Sequence, residues 1–196
     1  MINHVRGNSH MTVFCFGDSN TYGYDPRSYA GERYSVDVRW TGLLSKATGW
    51  RILEAGQNGR EIPHRHAELD ALTRLPQADV FVIMLGSNDL LMHPVFRAED
   101  VAARLEVCLT VLQEHFPTAK ILVVAPVPMV SGTWVAEERL IQESARLALC
   151  YRELCTHMGV HFTDAGKWDV ELLFDGVHFS EAGHLAFAKG LQKALE

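Results

Sequence analysis

The chain has no stretch near the roughly 18 consecutive apolar residues that a membrane-spanning helix needs, so no such helix is expected. It has no run of basic residues either. Lys and Arg total 18 against 24 Asp and Glu, a formal charge of −6. Non-specific nucleic-acid binding draws on a basic face, and this sequence shows none. Cysteine is sparse: Cys15, Cys108, Cys150 and Cys155, with no CxxC spacing. Each lies in an apolar context, which reads as buried free thiols in a reducing compartment. No Walker A loop, Rossmann fingerprint or H-E-x-x-H helix occurs. The segment Met1–His10 lacks the apolar core of a secretory signal, so the expected location is cytoplasmic. Residues 1–11 are expected to be a tail, disordered or expression-derived, with Met11 as a candidate start. Residues 12–196 are expected to form a single domain, long enough to bury a substantial core.

The composition is that of an ordinary globular protein, 47% hydrophobic and 21% charged. The organising stretch is Phe14-Cys15-Phe16-Gly17-Asp18-Ser19-Asn20-Thr21-Tyr22-Gly23. An apolar run stops at Gly17 and a polar cluster with one serine follows. That pattern predicts a buried strand, 12–16, with Ser19 just past its C-terminal end. A serine in such a place is ordinarily a turn residue or helix cap. The rest of the chain decides whether it is more.

Residues 22–37 read as a long loop. Asp37 is placed to cap a helix over 38–48, in which Trp40, Leu43, Leu44 and Ala47 follow helical spacing. A short strand over 51–55 leads into Gly56-Gln57-Asn58-Gly59-Arg60. A helix is predicted over 62–75, with Pro63 in its first turn. The run 78–85 is continuously apolar, as a central parallel strand should be, and ends at Gly86-Ser87-Asn88-Asp89. An amphipathic helix over 99–116 carries Val101, Leu105, Cys108, Leu109 and Leu112 on one stripe. A fourth strand, 120–125, precedes a helix over 136–158, and a fifth strand spans 160–163. The loop 164–179 holds Asp175-Gly176-Val177-His178, and Ser180 caps a last helix reaching about Leu195. Alternating strands and helices imply a parallel sheet covered on both faces, a three-layer α/β/α sandwich.

In such a sheet the polar clusters after strands one, two, three and five lie on one edge, where ligands bind. A serine, a histidine and a carboxylate converge there with an asparagine and two Gly-rich turns. Acyl transfer uses each of them. Ser19 would be the nucleophile, which needs a base to take its proton. His178 would be that base, since an ordinary imidazole titrates near neutrality. Asp175 would accept the other ring N–H and fix the tautomer. The oxyanion would be met by the Asn88 amide and the backbone N–H groups of Gly59 and Ser19. Asp18 is a sequence neighbour expected only to order the loop. Tyr22, Tyr24 and Trp134 stand in loops expected to overhang the site and are candidate substrate-binding residues. Tyr29, Tyr34 and Met129 belong to the same loops, while Trp40 fits the core stripe of its helix.

Metal chemistry finds little support. His64 and His66 are two apart and share no helix face. His178, Glu181 and His184 do not make a zinc motif. Asp18 and Asn88 would need further ligands for a two-metal site, and strands four and five supply none. No metal or other cofactor is expected.

The four blocks Gly17-Asp18-Ser19-Asn20, Gly56-Gln57-Asn58-Gly59-Arg60, Gly86-Ser87-Asn88-Asp89 and Asp175-Gly176-Val177-His178 occur in the order found in SGNH hydrolases. The chain therefore resembles that family, the GDSL lipase/esterase superfamily, over nearly its whole length. Asn20 stands where the GDSL name has leucine. Thr21-Tyr22-Gly23-Tyr24 and Asp37-Val38-Arg39-Trp40 are similar to the microbial arylesterase and acyltransferase branch. The resemblance implies a flavodoxin-like, five-stranded parallel sheet and, because relatives of this branch often associate, a candidate homo-oligomer. The sequence differs from the α/β-hydrolase elbow G-x-S-x-G, because Thr21 replaces the second Gly. The expected function is a serine esterase acting on short-chain aryl or alkyl esters. The alternatives are a carbohydrate O-acetylesterase and, from another class, a non-catalytic flavodoxin-like binding module.

Overall fold

The computed structural model describes residues 11–196. Of the expected tail only Met11 falls among them; the rest lies outside the described residues. The Met11 carbonyl accepts the Arg51 N–H at 2.9 Å.

Five strands form one parallel sheet: β1 (Thr12–Gly17), β2 (Arg51–Gly56), β3 (Val80–Met84), β4 (Lys120–Ala125) and β5 (His161–Asp164), in the order β2-β1-β3-β4-β5. This is the flavodoxin-type order, and its switch point lies between β1 and β3. Gly17 is level with Gly56 on one side and with Met84 on the other. The three strand ends therefore open at one height, and the loops leaving them meet.

Period-two alternation along the strands splits the core in two. Phe14, Phe16, Phe81, Ile83, Ile121 and Val123 point to one face. There they meet α5 (Ala98–His115) and α6 (Glu138–Met158) through Leu105, Leu109, Leu112, Leu147 and Tyr151. Val13, Cys15, Val80, Val82, Leu122 and Val124 point to the other face. They pack on α2 (Trp40–Thr48) and α7 (Glu181–Leu195) through Trp40, Leu44, Phe187 and Leu191. Burying each such large side chain contributes about 1.5–3 kcal/mol. Helices on both faces make the three-layer sandwich that the strand–helix alternation predicts. Trp40 is a core residue, 1% exposed.

Departures from the sequence expectation at α2, α3 and α4 trace to specific contacts or to a short local helix. Asp37 does not cap α2, which starts at Trp40. The Trp40 N–H, a donor with no acceptor inside the helix, goes to His184 Nδ1 at 3.3 Å. The helix predicted over 62–75 is only α3 (His66–Leu72). The Ile62 N–H is taken by Asp89, which keeps residues 62–65 out of the helix, and Glu68 receives the N–H groups of His64 and Arg65. The turn read at Gly86–Asp89 opens a short helix, α4 (Ser87–Met92). All four cysteines are free, Cys150 partly exposed and the others buried.

Candidate active site

Ser19 is the first residue of the one-turn helix α1 (Ser19–Tyr22). The turn forms because Asp18 caps it, its Oδ1 accepting the Asn20 N–H at 2.9 Å. Gly23 closes it in the left-handed conformation, φ 83°. The serine thus rides on a capped turn against the end of β1.

Asp175 and His178 come from the loop between β5 and α7. Asp175 Oδ1 accepts the N–H groups of Val177 and His178, both at 2.9 Å, which folds the loop around the carboxylate. Its Oδ2 lies 2.6 Å from His178 Nδ1. His178 Nε2 lies 2.9 Å from Ser19 Oγ. Asp175 is fully buried and His178 is 1% exposed. Burial raises the Asp175 pKa, but the hydrogen bonds from the His178 ring and the two backbone N–H groups outweigh it. The net effect holds the carboxyl below its ordinary value, so it is ionised at neutral pH. A hydroxyl, an imidazole and a carboxylate thus stand in one hydrogen-bonded line. Such a line can withdraw the serine proton and hold the resulting imidazolium.

Asn20, next to the serine, joins the two halves of this arrangement. Its Nδ2 donates to the Val177 carbonyl and its Oδ1 accepts the Phe179 N–H, both at 3.0 Å. These are the residues on either side of His178. The Asn20 carbonyl in turn accepts the Trp40 indole N–H at 2.9 Å, which anchors the serine turn to the core.

On the other flank lie the second and third glycine turns. Gly59 has φ +72°, and nothing approaches within 4 Å of where a Cβ would stand. The position is open, and its N–H donates to no protein group among the described residues. Asn88, in the first turn of α4, donates Nδ2–H to the Arg60 carbonyl at 3.1 Å and keeps its second amide hydrogen for another acceptor. The Ser19 N–H, first in its helix, has no acceptor within α1. Ser19, Gly59 and Asn88 thus carry donors not used up within their own turns, in the segments that follow β1, β2 and β3.

Tyr24 and Trp134 both set ring edges against His178, with centroids 4.8 and 5.0 Å away. Trp134 is 53% exposed. Tyr22 makes a different contact: the Arg33 guanidinium lies over its ring at 4.5 Å. Tyr34 and Met129 are buried, and Tyr29 is fully exposed. Asp18 is buried, which pushes its carboxyl up to about 6 despite the Asn20 N–H and the nearby His178 and Arg60. His64 bonds the Ile62 carbonyl through Nδ1 at 2.9 Å. Among the described residues no group of three or more His, Cys, Asp or Glu is arranged to hold a metal ion. No described helix is long and apolar enough to cross a membrane.

Two features escape a reading of the sequence. The Asn20 staple depends on a partner loop 157 to 159 residues away. Behind Asn88 a polar cluster joins Glu61, Asp89, His93 and Arg104 from three segments. The only hint of that cluster is an arginine inside the otherwise apolar Val101–Leu105 stretch of α5.

Comparison with known proteins places the chain in a family. Residues 15–186 match the GDSL-like Lipase/Acylhydrolase family. The native aryl esterase of M. smegmatis superposes with a TM-score of 0.81 at 28% identity, covering 94% of this chain and 98% of that one. A carbohydrate acetylesterase family member from Sinorhizobium meliloti gives 0.81 and 28%, covering 94% and 97%. A lipolytic G-D-S-L family protein from Veillonella parvula DSM 2008 shares the fold, with a TM-score of 0.72 at 15% identity over 93% and 97% of the two chains. A search of curated protein sequences returns no match. The family match spans most of the chain, and the relatives named for their activity are ester hydrolases. This protein is a hydrolase of the GDSL-like lipase/acylhydrolase family.

Proposed function

We propose that the protein hydrolyses short-chain carboxylic esters, aryl or alkyl acetates, through an acyl-enzyme on Ser19. The observation that carries this reading is the line from Ser19 Oγ to His178 Nε2 (2.9 Å) and from His178 Nδ1 to Asp175 (2.6 Å). Ser19 Oγ attacks the ester carbonyl while His178 Nε2 takes its proton. Asp175 holds the imidazolium. Negative charge gathers on the former carbonyl oxygen, which the Ser19 and Gly59 N–H groups and the Asn88 amide receive. When the intermediate collapses, His178 returns the proton to the departing alcohol oxygen. Water, deprotonated by the same histidine, then releases the acid and restores Ser19.

The test is an active-site phosphonate probe on the folded protein, run beside a panel of aryl and alkyl esters of increasing acyl length. The expected result is labelling at Ser19 and turnover of aryl acetate, both lost in Ser19→Ala. Full activity in Ser19→Ala would overturn the mechanism. The acetyl preference itself fails if only long acyl chains are cleaved.

One observation favours a second reading, a carbohydrate O-acetylesterase. Trp134 leaves half its surface exposed beside His178, and an exposed aromatic there suits a sugar leaving group. The Sinorhizobium relative bears that description. Acetate release from acetylated oligosaccharides, compared with aryl acetate, separates the two. A reducing compartment suits the four free cysteines.

A further inference from the structure

The chain leaves β2 through Gly59 and Arg60 and reaches Ile62 outside any helix or strand. Across from it, α4 begins with Ser87, Asn88 and Asp89. Two hydrogen bonds join these segments directly: Asn88 Nδ2–H to the Arg60 carbonyl (3.1 Å) and the Ile62 N–H to Asp89 Oδ2 (3.0 Å). Each segment also carries a carboxylate facing the other, Glu61 and Asp89. Asp89 is fully buried and the Glu61 side chain is 20% exposed. Two carboxylates so placed repel one another and would part the segments unless a cation sits between them.

That cation is Arg104, which reaches across from α5. Its Nη1 lies 2.6 Å from Glu61 Oε2 and 2.8 Å from Asp89 Oδ1, so one guanidinium nitrogen spans both sides. Phe96 lies under the guanidinium at 4.6 Å, and the Arg104 side chain is only 16% exposed. His93 Nε2 meets the same Glu61 oxygen at 2.6 Å, and its ring stacks on Phe96 with centroids 4.5 Å apart. The group is therefore held in place by packing as well as by charge.

We propose that Arg104, with Glu61 and Asp89, is a positioning residue that sets the spacing of the Gly59 N–H and the Asn88 amide. The proposal rests on the reading of those donors as an oxyanion site. Arg104 touches no reacting atom in it. It acts through the two carboxylates, which fix the strand of chain after Gly59 against the first turn of α4. A donor pair must match the oxyanion's place closely, because small displacements cost large factors in rate. A role of this kind predicts a fall in kcat with KM little changed. It also predicts that the effect depends on Asn88 being present to be positioned.

The experiment compares wild type, Arg104→Met, Arg104→Lys, Asn88→Ala and the Arg104→Met/Asn88→Ala double variant. The kinetic readouts are kcat and KM on aryl acetate, with melting temperature as a check on folding. Peptide-level hydrogen exchange over residues 59–62 reports the clamp without reference to activity. Arg104→Met should lower kcat about 10–100-fold with KM within about threefold and speed exchange at Ile62. Arg104→Lys should recover part of the loss. In the double variant the two losses should fall well short of multiplying, as they do for residues acting as one unit. The proposal is overturned if Arg104→Met keeps its kcat, if only KM rises, if exchange at 59–62 is unchanged, or if the two losses multiply. If wild type cleaves no ester yet Arg104→Met speeds that exchange, the clamp stands and the esterase reading fails. Should Arg104→Met not fold, Glu61→Gln leaves the Asp89–Arg104 pair intact, and the same readouts decide.

Discussion

Asn20 Oδ1 accepts the Phe179 N–H at 3.0 Å, while Asn20 Nδ2 donates to the Val177 carbonyl at the same distance. One amide beside Ser19 thereby spans the backbone on both sides of His178. The separation of serine and imidazole is fixed by this bridge as well as by their own hydrogen bond.

Replacing Asn20 by leucine, the residue of the family's namesake motif, would leave a buried N–H and a buried carbonyl without partners. Each such loss costs about 1–3 kcal/mol. Asn20→Leu is expected to be less stable by about 2–4 kcal/mol and to turn over aryl acetate roughly 100-fold more slowly. Urea unfolding and steady-state kinetics measure the two effects. Wild-type kcat in that variant would show that the staple does not set the position of His178.

Asp175→Asn keeps the shape of the side chain and an oxygen for the Val177 and His178 N–H groups. It removes the charge that faces the imidazolium and the acceptor that fixes the ring tautomer. In the proposed mechanism kcat should drop by about 10⁴, with the fold intact by circular dichroism. A loss of less than tenfold would assign the proton transfer to a different arrangement.

How much of this was legible beforehand follows the range of the forces involved. β4 is a continuous apolar run bounded by Lys120 and Pro126, and the stripe of α5 repeats at helical spacing; both are local patterns and both were readable. The meeting of Ser19, Asp175 and His178 followed from topology, since each leaves the same edge of a parallel sheet. The start of α2 was not readable, because it is set by His184, 144 residues away, accepting the Trp40 N–H. The same holds for α3. Its first turn is lost to Asp89, and nothing near Ile62 in the sequence announces that partner. α4 has only six residues and opens on a turn-like Ser-Asn-Asp. The role of Asn20 has no local signature, because its two partners lie near the other end of the chain.

Gly86 tests the frame behind Asn88. Its φ is +128°, and a Cβ there would lie 2.2 Å from the Tyr151 hydroxyl. That hydroxyl donates to the Leu85 carbonyl at 2.9 Å. Gly86→Ala therefore meets both a disfavoured backbone and a buried clash, and should lose about 2–4 kcal/mol in urea unfolding. Tyr151→Phe alone should lose about 1 kcal/mol with its hydrogen bond. Combining them removes the clash but not the strain, so the double variant should be more stable than the two losses added together. Strict additivity would place the whole cost in the backbone.

His184 and Asp18 should tilt stability with pH in opposite directions. Burial, with Arg39 nearby, pushes the His184 imidazole down to about 3 from 6.5. As pH falls below 6.5 the unfolded chain takes a proton there and the folded chain does not. The contribution of His184 is thus complete above that pH and is lost as pH falls toward 3. Burial pushes Asp18 up to about 6 from 3.8. The folded chain then binds the proton first, so the Asp18 contribution is complete below 3.8 and is lost as pH rises through 6. His184→Asn and Asp18→Asn each keep an acceptor for the backbone N–H concerned, Trp40 or Asn20. Between pH 7.5 and pH 5, His184→Asn should gain on wild type by about 2 kcal/mol, and Asp18→Asn should lose ground by on the order of 1 kcal/mol. Urea unfolding at the two pH values measures both. The opposite signs are the signature: if both variants shift the same way, at least one group does not titrate as its burial requires.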